Sequence, residues 1–375
     1  MHIALNAHLL SGTTGYRSAG IHQYMHHVLM HLPAWLPPGW DTTLLAGAQL
    51  TADYAPLHVH RSRFNTEHPA RRIAWEQIAQ PFALMGRGFD AYHAMAFVAP
   101  LAMRLPLVTT VYDLSFVHFP DRLPRARRAY LTTLARQTCQ RARRVLTISQ
   151  ATARDLTETW GIAPERIDVA APGCDRARFR PLPQAQIEAF RAQEELPARF
   201  WLFVGTLEPR KNLVTLLEAY ARLSPDERLP LIIGGGKGWD YAPIFAAVER
   251  LRLDDDVRFI GFVPADDLPF WYNCAETFIY PSVFEGFGLP VLEAMACGTP
   301  VITSDASSLP EVASGAGHLV PPYDVDGWAS ALRMASGDAA WRASARERGI
   351  GRAAGYTWAE TSRITVECYQ KAFGK

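Results

Sequence analysis

The chain of 375 residues lacks the features that define disulfide-bonded, exported or membrane-spanning proteins. Its cysteines are few, odd in number and without a Cys-x-x-Cys pair, which argues against a disulfide scaffold or a structural zinc site. No apolar run approaches the roughly 18 residues of a membrane helix. The N-terminus enters a strand with no basic leader, so we expect a cytoplasmic protein that is not exported. The cysteines are Cys139, Cys174, Cys274, Cys297 and Cys368.

Lysine is also scarce, with 34 Arg against 4 Lys, and the net charge of +1 hides an asymmetry. Residues 1–180 contain 20 Arg, no Lys and 12 acidic residues, which gives +8. Residues 181–375 contain 18 basic and 25 acidic residues, which gives −7. This distribution predicts that the first half faces an anionic partner.

Short apolar segments alternate with longer helical patterns along the whole chain, which predicts an α/β fold with parallel sheets. A zone rich in proline and charge, from Pro172 to Pro197, separates two series of strands, and we place the domain boundary near residue 178. The predicted strands are Ile3–Asn6, Thr43–Ala46, Ala91–His93, Leu107–Val111 and Val145–Ile148, then Trp201–Gly205, Leu231–Ile233, Val257–Ile260, Thr277–Tyr280 and Val301–Thr303.

The segment from Tyr280 to Gly298 carries the strongest functional pattern. Glu285 follows a predicted strand, and a loop with two glycines leads into a short helix with Glu293 in its first turn. Pro290 suits the first helical position and Gly298 suits the stop. Amides near the helix start form an anion site, whereas two carboxylates only accept hydrogen bonds and suit neutral sugar hydroxyls.

A second pattern is Phe203-Val-Gly-Thr-Leu-Glu-Pro-Arg-Lys-Asn212. Gly205 ends a strand and allows a ligand to approach closely, and Asn212 suits the N-cap of the next helix. Arg210 and Lys211 together suit a diphosphate, because arginine offers a forked donor set and lysine a point charge. The alternative is a solvated basic pair, which would oppose the dipole of the following helix.

Other nucleotide and metal motifs are missing. Neither Gly-x-Gly-x-x-Gly nor a Walker A sequence occurs. Asp254-Asp-Asp256 could be mistaken for a metal-binding Asp-x-Asp element, but it precedes the predicted strand Val257–Ile260 and reads as a solvated turn. We therefore predict catalysis without a metal or a cofactor.

The two patterns strongly resemble the retaining glycosyltransferases of family four, and the resemblance covers nearly the whole chain. It implies the GT-B fold, in which two Rossmann-like domains with parallel sheets face a central cleft. Residues 1–177 would bind the acceptor and residues 178–357 the nucleotide-sugar, while a C-terminal helix, residues 358–375, packs back on the first domain.

The resemblance also implies roles for individual residues. Glu285 would hold the hydroxyls of the donor sugar and Glu293 those of the ribose. The catalytic residues would be Glu285, Arg210, Lys211 and Asp113. The donor-binding residues would be Gly15, Gly20, Gly205, Thr206, Arg210, Lys211, Phe262, Val263, Glu285, Gly286, Phe287, Gly288, Leu289 and Glu293. The acceptor or sugar would meet Tyr16, Arg17, Tyr112, Asp113 and His118.

Two positions depart from the family pattern. Thr206 stands where many relatives have an additional arginine, and Tyr112 stands where many have a histidine that contacts the sugar. The motifs look most like those of bacterial mannosyltransferases of surface-polysaccharide synthesis, which makes GDP-mannose the first choice of donor and a UDP-sugar the second. The acceptor would be a glycan or a polyprenyl-diphosphate-linked saccharide. A sugar-nucleotide epimerase and a non-catalytic sugar-binding relative remain alternatives.

Eight arginines crowd residues 122–144. Nucleic-acid binding is not favoured, because the segment has no interleaved stacking aromatics and no known module. Two interpretations stay open: a solvated helix face, or a patch that contacts anionic lipid at the inner face of the membrane or a pyrophosphate-linked acceptor.

Overall fold

The computed structural model describes residues 1–10, 20–63, 65–66 and 68–374. The chain divides into two compact units. Unit 1 comprises Met1–Gly173 and Trp358–Lys375, and unit 2 comprises Cys174–Thr357. The boundary predicted near residue 178 lies a few residues beyond this division.

Unit 1 is built on a parallel sheet which, in the described part of the chain, has seven strands in the order β3-β2-β1-β4-β5-β6-β7. The strands are β1 (His2–Asn6), β2 (Asp41–Ala46), β3 (His58–Arg61), β4 (Ala91–Ala94), β5 (Leu107–Val111), β6 (Arg144–Thr147) and β7 (Ile167–Val169). Central strands such as β5 are buried along their whole length, as expected when helices cover both faces of a parallel sheet.

The helices of unit 1 include one irregular segment. In the region from residue 69 to 84, two short α-helices flank a π-helical turn, Trp75–Ala79. The α-helices are α1 (Ile21–His31), α2 (Pro69–Ala74), α3 (Gln80–Leu84), α4 (Ser115–His118), α5 (Arg125–Arg141), α6 (Gln150–Trp160) and, from the C-terminal segment, α15 (Trp358–Phe373).

Helix α15 belongs to unit 1, where it contacts several elements of the sheet layer. Ser362 Oγ donates to Val28 O at 3.2 Å, and Thr361 Oγ1 donates to Ala171 O at 2.6 Å. The hydroxyl of the buried Tyr369 lies 2.7 Å from His93 Nδ1. These contacts tie the C-terminal segment to the first half of the chain.

Unit 2 repeats the same plan with a parallel sheet of six strands among its residues, in the order β10-β9-β8-β11-β12-β13. The strands are β8 (Trp201–Val204), β9 (Leu231–Gly234), β10 (Val257–Gly261), β11 (Thr277–Tyr280), β12 (Val301–Ser304) and β13 (His318–Val320). The helices are α7 (Gln184–Gln193), α8 (Leu213–Ala221), α9 (Ala242–Leu251), α10 (Leu268–Cys274), α11 (Leu289–Ala296), α12 (Leu309–Ala313), α13 (Val325–Gly337) and α14 (Ala339–Ala354).

Both sheets have Rossmann-like order, which confirms the predicted α/β fold with two parallel sheets. Each sheet winds outward in both directions from its first strand, so the order reverses between β1 and β4 in unit 1 and between β8 and β11 in unit 2. The crevice at the carboxyl ends of two such strands is where open α/β sheets bind ligands.

The predicted strands are found within a residue or two of their expected limits, but three strands were missed. These are β3, β7 and β13, which have three or four residues each and lie at sheet edges. All three are short and only partly buried, unlike central strands such as β5, so their sequences give a weaker strand pattern.

Candidate functional site

The segments that follow β8 and β11 meet at the reversal point of the second sheet. Val283 N donates to Arg210 O at 2.9 Å, and Ser282 Oγ lies 3.0 Å from the same carbonyl. The two strongest sequence patterns therefore form one site, although they are about 75 residues apart in the chain.

Glu285 lies at the centre of this site and is only 8% exposed. Its Oε1 accepts hydrogen bonds from Lys211 Nζ at 2.5 Å and from Ser282 Oγ at 2.6 Å. The Tyr280 hydroxyl lies 3.1 Å from the same oxygen. Its other oxygen, Oε2, lies 3.0 Å from Arg210 Nη1. Both oxygens of the carboxylate are thus held by charged or polar donors.

The charges of this group are set by burial and by one another. Burial alone would raise the pKa of Glu285, but Arg210 and Lys211 outweigh it and lower the pKa to about 2. Burial, reinforced by the neighbouring Arg210, lowers the pKa of Lys211 to about 8 although Glu285 opposes the change. Glu285 is therefore ionised at neutral pH, and Lys211 is close to its titration range.

Arg210 is oriented by three groups of the same unit. Its Nε pairs with Glu208, its Nη1 donates to Phe284 O at 2.9 Å, and the same nitrogen faces Glu285. Glu208 is itself buried, at 4% exposure. The guanidinium is thus fixed in one position rather than free to follow solvent, as a group that recognises a diphosphate requires.

Helix α11 starts beside this cluster. Gly288 precedes its first residue with φ 113°, and a Cβ there would lie 2.8 Å from Leu309 Cδ2. Ser308 Oγ lies 2.8 Å from Phe287 O, which fixes the loop before the helix. Among the first residues of α11, Val291 N and Leu292 N already donate to Gly288 O, at 3.0 and 3.2 Å, and Pro290 has no N–H. The amide of Leu289, at the positive end of the helix, is therefore the group that suits an anion.

The limits of α11 differ slightly from expectation. Pro290 occupies the second helical position rather than the first, because Leu289 already has helical geometry. Gly298 has φ 78° just after the helix, so the predicted stop is confirmed. Phe287 is buried and packs edge-on against Tyr356 with ring centroids 5.5 Å apart. Gly286 is buried in the same loop.

Glu293 lies in the second turn of α11 rather than in its first turn as expected, because the helix starts only four residues earlier. Tyr272 OH lies 3.2 Å from Glu293 Oε2. Burial raises the pKa of Glu293 to about 7, while Tyr272 and Arg178 act in the opposite direction. The two glutamates of the motif thus differ in charge state, one firmly ionised and the other near its midpoint at neutral pH.

Gly205 and Asn212 bracket the loop after β8. Gly205 N donates to Gly234 O at 2.9 Å, and a Cβ on the neighbouring Gly235 would lie 1.8 Å from Gly205 O. Asn212 precedes α8 as expected, but its side chain makes no backbone cap. Its Oδ1 accepts from Thr215 Oγ1 at 2.7 Å instead, because the residue is left-handed with φ 56°. The predicted N-cap position of Asn212 is therefore confirmed, but without a capping hydrogen bond from its side chain.

The other residues predicted to bind the donor lie at neighbouring strand ends of unit 2. Thr206 follows Gly205 and is partly buried, and a Cβ on Gly238 would lie 2.7 Å from its Cγ2. Phe262 and Val263 follow β10, where Phe262 is 54% exposed and Val263 is 7% exposed. An exposed aromatic face and nearby main-chain groups are suitable for a nucleobase.

The predicted residues of unit 1 fall into two groups. Gly15, Tyr16 and Arg17 lie outside the described residues. Gly20 has φ 55° and is the residue immediately before α1.

The residues after β5 have partners within unit 1. Tyr112 is buried, and its hydroxyl donates to Met95 O at 2.8 Å. Asp113 Oδ1 accepts from Ser115 N at 2.8 Å, and His118 Nε2 lies 2.8 Å from Asp155 Oδ1. Their roles toward sugar or acceptor stay predictions, as do the roles assigned to the residues of unit 2.

Sequence reasoning missed several groups that shape the site. Glu208, Tyr280 and Ser282 lie inside the two quoted patterns, but nothing local indicates that they hold Arg210 and Glu285. Ser307 and Ser308 come from the segment after β12, and both hydroxyls approach Glu285 O, at 2.7 and 2.9 Å. Such long-range contacts leave no periodic or spacing signal in a single sequence.

Two searches confined to the described residues gave negative results. They contain no group of three or more His, Cys, Asp or Glu residues arranged to hold a metal ion. They also contain no helix that is long and apolar enough to cross a membrane. The Asp254–Asp256 segment forms a turn before β10, where Asp256 Oδ2 lies 2.9 Å from Arg228 Nη1.

Two parallel Rossmann-like sheets, with a cationic cluster and a helix N-terminus at a reversal point, define a two-unit α/β protein with a candidate anion site. Among solved structures, a sucrose-phosphate synthase from Thermosynechococcus elongatus is similar in fold, with a TM-score of 0.78 and 22% identity over 99% of each chain. This similarity supports the GT-B fold.

The chain belongs to the glycosyltransferases. Residues 19–178 match the model "Glycosyltransferase Family 4" and residues 186–352 match "Glycosyl transferases group 1". The chain is 33% identical over 305 residues to the O-antigen chain mannosyltransferase B of Escherichia coli, covering 81% of this chain and 78% of that protein. It is 28% identical over 328 residues to the longer serotype-specific mannosyltransferase WbdA of Escherichia coli, of which it spans 39%.

Proposed function

We propose that this glycosyltransferase is a retaining enzyme that transfers mannose from GDP-mannose to a glycan or a polyprenyl-diphosphate-linked saccharide. The observation that carries this proposal is the buried cluster in which an ionised Glu285 lies between Arg210 and Lys211 at the sheet reversal point. The names of the two Escherichia coli relatives support mannose as the sugar.

The donor would be held by three kinds of group. Arg210, Lys211 and the amide of Leu289 at the start of α11 would hold the diphosphate, because they concentrate positive charge on one spot. Glu293 would accept hydrogen bonds from the ribose hydroxyls. The base would lie against Phe262 and the main chain of Val263. Glu285 would accept hydrogen bonds from the hydroxyls of the sugar.

Donor binding must rearrange the cluster. In the structure, Arg210 and Lys211 are balanced by Glu208 and Glu285, so the four side chains are neutral together. A diphosphate brings additional negative charge to these two cations. We therefore infer that the diphosphate replaces at least one of the contacts of Glu285, which frees that carboxylate to meet the sugar.

The chemical step breaks the bond between C1 of the sugar and the phosphate oxygen. The acceptor oxygen forms a new bond to C1 on the same face, and its proton passes to the departing phosphate oxygen. Negative charge grows on the nucleotide as the bond breaks, so fixed cations at that spot stabilise the transition state. The loss of one such group typically costs about 3–4 kcal/mol. We propose that these cations act without a divalent metal.

The arginines of residues 122–144 would contact the acceptor or the membrane. Their contacts separate those that are bonded within unit 1 from those that are exposed. Arg141 Nη1 donates to Pro100 O at 3.4 Å, Arg143 Nη1 donates to Ala372 O at 2.9 Å, and Arg144 pairs with Asp168. These side chains therefore have roles in the fold. The exposed Arg125 and Arg136 on α5 remain for contact with an anionic membrane or a lipid-linked diphosphate.

Radiolabelled GDP-mannose and UDP-glucose, each incubated with the protein and a bacterial lipid extract, test this function. We expect label from GDP-mannose to enter the lipid or glycan fraction in the presence of EDTA. Arg210→Ala and Glu285→Ala should abolish transfer, whereas Arg250→Ala, which removes a surface ion pair with Glu218, should not. Transfer only from UDP-glucose would contradict the donor, and loss of transfer with EDTA would contradict the metal-free mechanism.

The same incubation separates the alternatives. Conversion of the donor without any acceptor would indicate an epimerase, and no reaction with any donor would indicate a sugar-binding relative. The anomeric configuration of the product, read by nuclear magnetic resonance, tests retention directly. An inverted product would refute the proposed same-face attack.

A further inference from the structure

The helical segment of residues 69–84 in unit 1 has an inverted polarity. Its inward side carries Leu84 but also Glu76 and Gln80, which are 9% and 1% exposed. Its outward side carries Ile78, Phe82 and, directly after the segment, Met85, which are 66%, 72% and 73% exposed. A helix that packs on a core and faces water shows the opposite arrangement. The outward side therefore exposes large apolar side chains to solvent, which indicates a contact surface.

The exposed residues form one continuous line. Exposed positions 71, 74, 78, 82 and 85 are spaced by three or four residues, as expected for one face of a helix. Leu101 extends the line, because Leu101 N donates to Gln77 Oε1 at 3.1 Å, and it is 49% exposed. We call Ile78, Phe82, Met85 and Leu101 the apolar patch.

The chain segment that carries the apolar patch is basic. Residues 68–112 contain four arginines, Arg71, Arg72, Arg87 and Arg104, against two carboxylates. Of these carboxylates, Glu76 is buried and Asp90 accepts from His2 N at 2.7 Å at the amino end of β1. Arg141, which donates to Pro100 O beside Leu101, brings the basic helix α5 to the same side.

We propose that the apolar patch inserts into the surface of an anionic lipid bilayer while the surrounding arginines contact lipid headgroups. Large aliphatic and aromatic side chains within a basic rim are the composition of interfacial membrane anchors. Charge complementarity favours lipid over a second copy of this chain, because a symmetric dimer would place the arginines of one copy against those of the other. Insertion by Phe82 and Met85 adds an apolar contribution that the arginines of residues 122–144 could not supply.

Vesicle flotation tests this inference without any sugar transfer, so it can fail while the proposed function stands. The probe is a set of vesicles of phosphatidylcholine alone or with a quarter of phosphatidylglycerol. We expect the full chain to float with the mixed vesicles, and Phe82→Ser/Met85→Ser to bind at least about tenfold more weakly. The matched control Met30→Ser/Trp35→Ser changes two apolar residues of the same unit that are 47% and 41% exposed, and it should bind as the unaltered chain does.

The salt dependence of binding separates the apolar contribution from the electrostatic one, and the oligomeric state tests dimer formation as an alternative. We expect part of the binding to survive 0.5 M NaCl, since inserted apolar groups are not screened, whereas Arg104→Ser should weaken binding mainly at low salt. The inference is overturned if the unaltered chain does not float, or if Phe82→Ser/Met85→Ser floats as well as the control. It is also overturned if that variant converts a dimer to a monomer in size-exclusion chromatography and leaves flotation unchanged.

Discussion

A double-mutant cycle on Lys211 and Glu285 would show whether their ion pair exists for stability or for function. The changes are Glu285→Gln, Lys211→Met and the two together. Glutamine keeps acceptors for Ser282 and Tyr280, which lie 2.6 and 3.1 Å from Glu285 Oε1. Methionine keeps most of the length of the lysine without its charge.

Burial sets the balance. It opposes the charge of Lys211, whose pKa falls to about 8, whereas Arg210 and Lys211 lower the pKa of Glu285 to about 2. The desolvation cost of a buried ion pair commonly offsets the attraction between its charges, so we expect the pair to add almost nothing to the stability of unit 2.

Glu285→Gln alone should lower the free energy of unfolding of unit 2 by about 3 kcal/mol, because it leaves Lys211 buried beside Arg210 without its carboxylate. The double variant should return to within about 1 kcal/mol of the unaltered chain, yet both variants should lack transfer. Hydrogen exchange of the amides of β8 and β11 measures the opening free energy of this unit.

A surface pair in the same unit is the control for this cycle. Arg250 and Glu218 form an ion pair in which the two side chains are 58% and 39% exposed. The cycle of Arg250→Met and Glu218→Gln should give a coupling below about 1 kcal/mol. If Lys211→Met/Glu285→Gln were at least as destabilised as Glu285→Gln, the reasoning would be refuted, because the pair would then be a net source of stability.

Three further predictions concern the same site. Transfer should fall above pH 8 as Lys211 loses its proton, and Lys211→Arg should flatten that alkaline limb of the pH–rate profile, because arginine stays charged. Because the pKa of Glu293 is raised from 4.5 to about 7, the unfolded chain releases that proton first, and the stability of unit 2 should fall as pH rises from 4.5 to 7. Glu293→Gln should remove up to about 3 kcal/mol of this fall. The measurement is the free energy of unfolding in urea at several pH values, and the same pH dependence in the variant and the unaltered chain would contradict the prediction. Gly288→Ala should weaken GDP binding at least about tenfold in calorimetry, because the new Cβ meets Leu309 Cδ2 and φ 113° disfavours other residues; normal affinity would show that the loop adapts.

The sequence was sufficient to predict the central strands and the two loops of the site. Strands such as Leu107–Val111 and Thr277–Tyr280 were predicted with the observed limits, because a buried parallel strand is rich in apolar, β-branched and aromatic residues. Proline and glycine marked the ends of α11 because their backbone preferences act locally. Features that depend on residues close in the sequence can be predicted from the sequence alone.

Features that depend on distant contacts were not predictable. The helical segment of residues 69–84 buries Glu76 and Gln80 and exposes Phe82, which its sequence alone does not indicate. Asn212 occupies the predicted N-cap position, but it is left-handed and its amide oxygen accepts from Thr215 Oγ1 instead of capping the helix. The charge state of Glu285 follows from Arg210 and Lys211, which only the folding of the sheet brings within 3.0 Å.

The most direct test of the account is a crystal structure of the protein with GDP. We expect the diphosphate to contact the guanidinium of Arg210 and the ammonium of Lys211, with a terminal oxygen at the amide of Leu289 at the start of α11. At least one contact of Glu285 with these two cations should be broken in that complex. A diphosphate bound elsewhere in unit 2, with the contacts of Glu285 unchanged, would contradict the central claim.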